Sequence, residues 1–288
     1  MMRSLYSGVS GLRNHQTRMD VIGNNVANVN TTGYKTSRVV FQDIYSQTSK
    51  SASGGVGTTV GGTNPIQIGL GVTLATIDVL HNSAATQRTD NPLDLCVEGD
   101  GFFIAKVGNQ NMYTRAGNFY VDNSGYLVTS GGNFVQGVQA STSVQTRPTT
   151  SPITLTNLLI GNDGAATPAN YIDIAIDDTG EITGVLETDA TGSRVAIGWI
   201  ALGTFTNNGG LEKKGSSFYG ATPNSGAVVV RWPQENCGKI NPGGLEMSNV
   251  DLAAEFTDMI VTQRGFQANS RVITTSDSLL EELVNLKR

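Results

Sequence analysis

The side chains best suited to metal binding or nucleophilic chemistry are few: two histidines, His15 and His81, and two cysteines, Cys96 and Cys237. His15 falls in a helical pattern and His81 in a loop, with no second ligand at metal spacing, so each reads as a surface or interface imidazole. The cysteines are far apart and match no zinc or redox motif. A disulfide between them stays open, and two free thiols are the plainer reading. Gly99-Asp100-Gly101 and Asp122-Asn123-Ser124-Gly125 look like fragments of calcium loops, but the alternating acidic ligands and the distal Glu are missing, which leaves turns. There is no Gly-x-Ser-x-Gly elbow and no phosphate loop. Carboxylates are scattered, and nothing singles out a glycosidase pair. The expectation is therefore no catalytic residue, no cofactor and no metal.

Composition points the same way. The 288 residues carry a formal net charge of -5, only 15% are charged, and there are 35 glycines beside 8 prolines. A nucleic-acid binder needs a basic surface to meet phosphates, and this chain offers none. No run is long and apolar enough to cross a bilayer, and no apolar stretch follows Arg3 and Arg13 as a cleavable leader requires. Neither membrane insertion nor export through a cleaved signal is expected.

The elements that would position any site divide sharply. The middle of the chain reads as strands and turns. Residues 72–80 are apolar and β-branched, Leu93, Leu95 and Val97 alternate with polar neighbours, and residues 195–205 form another apolar run. Asp122-Asn123-Ser124-Gly125 and Asp177-Asp178-Thr179-Gly180 suit hairpin turns that need positive φ. Residues 49–62 are a Gly/Ser/Thr segment that reads as flexible or extended, and residues 139–170 are weakly patterned, a small insertion at most.

Both ends instead read as helices. From Leu5 through Val9, Leu12, Gln16, Met19, Gly23 and Val26, steps of four and three alternate. The far end repeats them from Leu252 through Phe256, Met259, Gln263, Phe266, Ser270, Ile273, Asp277, Leu280 and Val284. A period of about 3.5 residues draws one narrow stripe along a helix, as in a coiled-coil seam. The first helix should run from near Ser4 to Ala27 or Asn28. The second should be capped by Asn249 or Asp251. Polar residues dilute both stripes, while Ile260, Val261, Val272 and Leu279 lie off the second one. A helix apolar on more than one face needs more than one neighbour, and further copies of the chain would supply them. The fold class expected is α+β, with terminal helices forming an inner domain and a β-rich outer domain built from the middle.

Five stretches resemble the axial proteins of the bacterial flagellum, the rod and hook subunits, and they occur in family order: MDVIGNNVANVNTTGYK (residues 19–35), NPLDLCVEGDGFF (91–103), YTRAGNF (113–119), GGLEKKGSSFY (209–219) and the final run from Gly244. Asn24, Asn25, Asn28, Thr32, Gly33, Tyr34 and Lys35 carry the first signature. The resemblance implies an inner-domain helix over 1–33, a connector over 34–75, a β-rich outer domain over 76–243 and a second inner-domain helix over 244–288. It also implies subunit seams at Leu5, Val9, Leu12, Met19, Val26, Leu252, Phe256, Met259, Phe266, Ile273, Leu280 and Val284. The implied protein is not an enzyme. It is a subunit that self-assembles into a helical homopolymer, exported by the flagellar type III apparatus to an extracellular position. Its neighbours would be the distal rod protein, the hook cap and the hook–filament junction proteins. Within the family the final run resembles the hook protein of the shorter Gram-positive type, with the distal rod subunit as the alternative. A secreted β-rich hydrolase or adhesin would leave the paired seams unexplained.

Overall fold

A computed structural model describes residues 2–54, 61–140, 147, 153–160, 171–186, 192–235 and 237–286. The chain is α+β. A 26-residue helix, α1 (Met2–Ala27), opens it, and a 34-residue helix, α2 (Leu252–Asn285), closes the described part. Between them lie short strands. The first eight are β1 (Ser37–Asp43), β2 (Ser46–Lys50), β3 (Ile66–Gly69), β4 (Val72–Val79), β5 (Thr86–Arg88), β6 (Leu95–Glu98), β7 (Phe102–Val107) and β8 (Gln110–Thr114). Next come β9 (Phe119–Val121), β10 (Leu127–Thr129), β11 (Phe134–Gln139), β12 (Thr156–Asn157), β13 (Tyr171–Ile176), β14 (Glu181–Leu186) and β15 (Arg194–Ile200). The last six are β16 (Leu202–Thr204), β17 (Glu212–Gly215), β18 (Phe218–Gly220), β19 (Val229–Arg231), β20 (Lys239–Pro242) and β21 (Gly244–Glu246).

The residues group into two compact units. The first combines α1, residues 37–80 and everything from Val250 onward; the second combines residues 28–36 with 81–249. Each is therefore assembled from separated stretches of chain, and the short segment after α1 belongs to the second unit.

In the first unit α1 and α2 pack antiparallel: Gly8 lies against Ile273 near one end, and Asn25 reaches Glu255 at the other. Asp251 caps α2, its carboxylate accepting from the amides of Ala253 (2.9 Å) and Ala254 (3.4 Å), which satisfies donors that the first turn leaves without helical partners. The strand expected over 72–80 is β4, but the stretch before it, expected as a connector over 34–75, is also largely strand where it is described. β1 pairs with β4, and β2 pairs with β3 as a hairpin extended by a bridge between Ser53 and Thr63. The β-branched Thr48, Ile66 and Ile68 favour that pairing. Residues 55–60 of the glycine-rich segment lie outside the described set.

In the second unit thirteen strands of the described residues join one sheet system, whose main path runs β13-β14-β15-β11-β7-β8-β18-β17. β7 sits inside that path and is apolar on both faces. Phe103 meets Phe119 edge-on at 5.0 Å on one side, while Phe102 and Ile104 join Tyr113, Leu211 and Tyr219 on the other. The alternation at 93–97 suggested a half-buried strand, but Leu95, Cys96 and Val97 are all buried: Leu95 and Val97 join the apolar core on one face, and Cys96 lies against Thr86 of β5 on the other. The two turns singled out by their Asp, Asn and Gly residues do connect β9 to β10 and β13 to β14. Of the weakly patterned 139–170 stretch, only 139–140, 147 and 153–160 are described; there β12 pairs with β11.

Candidate functional site

Two arrangements stand out, one in each unit. The first is the helix pair. Mostly small and polar residues are buried on the pair: Gly8, Gly11 and Asn25 on α1, joined by the apolar Ile22, and Thr262 and Ser276 on α2. A methyl group on Gly11 would lie 2.6 Å from the Asn269 amide, and one on Gly265 would lie 2.7 Å from the His15 ring. The helices therefore approach closely where side chains are absent. Arg18 adds an ion pair to Asp258 at 2.9 Å.

This buried stripe is displaced from the seam expected on α1. Leu5, Leu12, Met19 and Val26 flank it half-buried, and Val9 is exposed. On α2, Met259, Ile273 and Leu280 are half-buried, while Leu252, Phe256, Phe266 and Val284 face solvent. Ile260 and Val261 are 59% and 55% exposed, and Leu279 is 52% exposed. Large apolar side chains at these levels on one helix are too many to be scattered surface residues. Their physical origin is clear: glycine and short polar groups close the intramolecular contact, so the bulky groups point outward.

The signature residues divide between the units. In the first, the Asn25 side chain is 1% exposed. It accepts from the Ser37 amide (3.0 Å), donates to the Ser37 carbonyl (2.9 Å) and donates to Glu255 Oε1 (2.9 Å). Asn24 is exposed on α1. In the second unit Asn28 and Thr31 close a turn through side-chain and main-chain bonds of 3.1 and 3.2 Å, and Thr32 lies half-buried within it. Gly33 has φ +68°, donates its amide to the Glu246 carbonyl at 2.8 Å, and would bring a Cβ within 2.6 Å of the Ala116 nitrogen. Only glycine satisfies both the conformation and the approach. The Tyr34 ring lies 4.7 Å from Lys213 Nζ, an attraction between cation and ring face.

The second arrangement is a buried ionic node. Lys35 Nζ donates to Glu246 Oε1 at 2.6 Å and to the Asn82 carbonyl at 2.6 Å. Arg115 reaches Glu246 Oε2 at 3.4 Å, the Val97 carbonyl at 3.1 Å and the Gly99 carbonyl at 2.7 Å, with its guanidinium 5.1 Å from the Phe102 ring centre. The three side chains are each no more than 1% exposed. Burial pulls the Lys35 ammonium below its ordinary pKa, and the hydrogen bond to Glu246 works against that. His81 packs edge-on against Phe102 (5.6 Å) and Tyr219 (5.3 Å), and neither ring nitrogen reaches a partner with good hydrogen-bond geometry. Its pKa falls to about 4, mainly by desolvation, helped by the charges of Arg115, Lys35 and Lys213 and opposed by the Asn208 main chain. The seam pattern did not point to this node. Its members were visible only as the fixed charges of three signature stretches.

Cys96 and Cys237 are free thiols, both raised in pKa by burial. Among the described residues no group of three or more His, Cys, Asp or Glu side chains converges as a metal site, and no helix is long and apolar enough to cross a membrane.

Three family profiles match in chain order. They are "Flagella basal body rod protein" over residues 5–35, "Flagellar hook protein FlgE/F/G D1 domain" over 96–184, and "Flagellar basal body rod FlgEFG protein C-terminal" over 241–286. The chain is 48% identical to the flagellar basal-body rod protein FlgG of Bacillus subtilis over 290 positions, covering 100% of both. It is 34% identical to the FlgG rod protein of Borreliella burgdorferi over 292 positions, again covering 100% of both. Against the flagellar hook protein FlgE of the same organism it is 34% identical, but the alignment takes 445 positions to cover both chains completely. Matches over the full length, through both helices and the β unit between them, leave one assignment: this chain belongs to the flagellar rod and hook protein family, a family of structural components of the bacterial flagellum.

Proposed function

We propose that this protein is a distal rod subunit of the flagellar basal body, not the hook subunit that its final run first suggested. The observation that carries the reading is length together with identity: the Bacillus subtilis rod protein aligns end to end in 290 positions, whereas the Borreliella hook protein needs 445. A hook subunit of that length holds a large insertion that has no counterpart here.

The mechanism is packing, not catalysis. The outward apolar residues of α2, with Phe256, Ile260, Val261 and Phe266 among them, are the surface on which further copies would pack as a helical homopolymer. Burying one such side chain contributes roughly 1.5–3 kcal/mol, so a repeated contact over a 34-residue helix can hold a tube that carries torque. The paired strands β2 and β3 favour a rod over a joint, because a hydrogen-bonded hairpin has fewer backbone states than an open Gly/Ser linker. Self-association, flagellar type III export and contact with neighbouring axial proteins belong to this proposal.

The test is polymer shape. Purified protein assembled in vitro and viewed by electron microscopy should give short straight cylinders, and the gene should restore motility to cells lacking their distal rod protein. Curved tubes, with rescue of hook-deficient cells instead, would overturn this reading in favour of a hook subunit, like the FlgE hook proteins of Borreliella burgdorferi and Treponema pallidum to which the chain is 34% and 32% identical.

A further inference from the structure

We infer that the Lys35–Glu246–Arg115 node is a two-ended latch, which makes the fold of the whole second unit conditional on docking of residues 28–36 and 241–249 together. Most of that unit is one contiguous stretch with its own apolar core. Such a stretch would ordinarily fold without its flanks. Here it cannot do so cheaply, because the core is built around charges whose counter-ion comes last. Lys35 and Glu246 are 211 residues apart, and Arg115 and Glu246 are 131 apart.

Until Glu246 arrives, Arg115 has carbonyls and an aromatic face but no carboxylate, and Lys35 has one carbonyl. Two cations in an apolar pocket without a counter-ion oppose closure, since desolvating a charge is costly unless it is paired. When Glu246 docks, one carboxylate answers both. Its Oε1 also accepts from the Ala84 amide at 3.3 Å, and its carbonyl takes the Gly33 amide. The neighbours of Glu246 arrive with it. Asn249 Oδ1 accepts from the Thr36 amide at 2.8 Å, the Met247 amide donates to Ala85, β21 pairs with β5, and β20 covers β6. Four stretches of chain, 28–36, 82–86, 97–115 and 241–249, thus meet on one carboxylate. A chain synthesised from its N-terminus reaches the last of these only near its end. Long-range closure of this kind carries a loop-entropy cost that local contacts do not, so the unit stays open until the final segment is present.

The full-length chain tests this directly, because both tryptophans, Trp199 and Trp232, are buried in the second unit and report on it alone. Glu246→Gln preserves shape but removes the charge. Urea titration followed by tryptophan emission should show the folding constant falling roughly a hundredfold or more. Adding Lys35→Met to Glu246→Gln, which removes one stranded cation, should raise the folding constant at least about tenfold above that of the single variant, and should restore a urea transition where the single variant shows none. Hydrogen exchange of Glu246→Gln should rise across residues 95–231 as one block. A fall of tenfold or less, a double variant no better than the single one, or faster exchange confined to residues 33–36, 84–88 and 241–249 would each overturn the latch.

Discussion

Asn25 Nδ2 lies 2.9 Å from Glu255 Oε1, a contact spanning 230 residues that ties the last turn of α1 to the first turn of α2. The same amide group holds the main chain of Ser37 at both its N–H and its C=O, so one side chain fixes the helix pair and the start of β1 within the first unit. Asn25→Ala removes three hydrogen bonds, one of them to a carboxylate. Each such bond is worth about 0.5–1.5 kcal/mol net, and more where it meets a charge. Asn25→Asp should be worse than Ala, because it faces Glu255 with a second carboxylate. Polymers of both variants should dissociate at lower urea than wild type, Asp below Ala, while tryptophan emission of the monomer stays put. Equal midpoints for all three proteins would remove Asn25 from this role.

Phe266 and Ile273 separate assembly from helix pairing. Phe266 faces solvent, whereas Ile273 packs against Gly8. Phe266→Asp should abolish polymer yet leave the monomer's helical circular dichroism unchanged. Ile273→Asp should lose both, since a charge enters the contact between helices at a cost of several kcal/mol. Sedimentation and circular dichroism on the two variants check the difference, and polymer of normal yield from Phe266→Asp would refute the outward-facing surface.

Acid should weaken the second unit through His81. The unfolded chain takes up that proton near its ordinary 6.5, but the folded unit does so only near 4. Stability is then complete above 6.5 and declines as the pH falls toward 4, by up to about 3 kcal/mol. His81→Gln has no imidazole to titrate. The gap between its urea midpoints at pH 7 and pH 4.5, read by tryptophan emission, should be smaller than that of wild type. An unchanged gap would place the acid sensitivity elsewhere.

The connector glycines discriminate rod from hook. A Cβ added to Gly54 or Gly61 meets nothing within 4 Å, so alanine fits, and it removes unfolded-state freedom worth roughly 0.4–1 kcal/mol per site. In a rod, Gly54→Ala/Gly61→Ala should leave cylinders straight and motility intact. Tubes that start curved and straighten with the substitutions, seen by electron microscopy, would speak for a bending joint instead.

The helices and turns were legible in the sequence because they rest on local chemistry. A cap at Asn249 or Asp251, Asp122-Asn123-Ser124-Gly125 as a hairpin turn and the four-three spacing of the ends need no tertiary partner to be recognised, though only the structure chooses Asp251 as the cap. The orientation of those helices was not legible. Apolar spacing marks a face that wants a neighbour, but it does not say whether that neighbour is the partner helix or another copy. Glycines at 8, 11 and 265, silent in a hydrophobicity pattern, set the intramolecular face through close approach. Strand 46–50 was hidden for a related reason, since its polar residues pair with 66–69 and are not apolar enough to announce a strand alone. The charged node was beyond reach because its three members come from distant segments, and a buried lysine looks like any surface lysine until its surroundings are known.

The two imidazoles noted at the outset are shared one to each unit: His15 lies beside Gly265 and Phe41 in the first, and His81 between Phe102 and Tyr219 in the second. A proton NMR spectrum of the ring Hε1 signals therefore carries one built-in probe per unit without any isotope label or added tag. Followed through a titration or a polymerisation, the pair of resonances reports which half of the molecule yields first, and whether the two halves respond together or in turn.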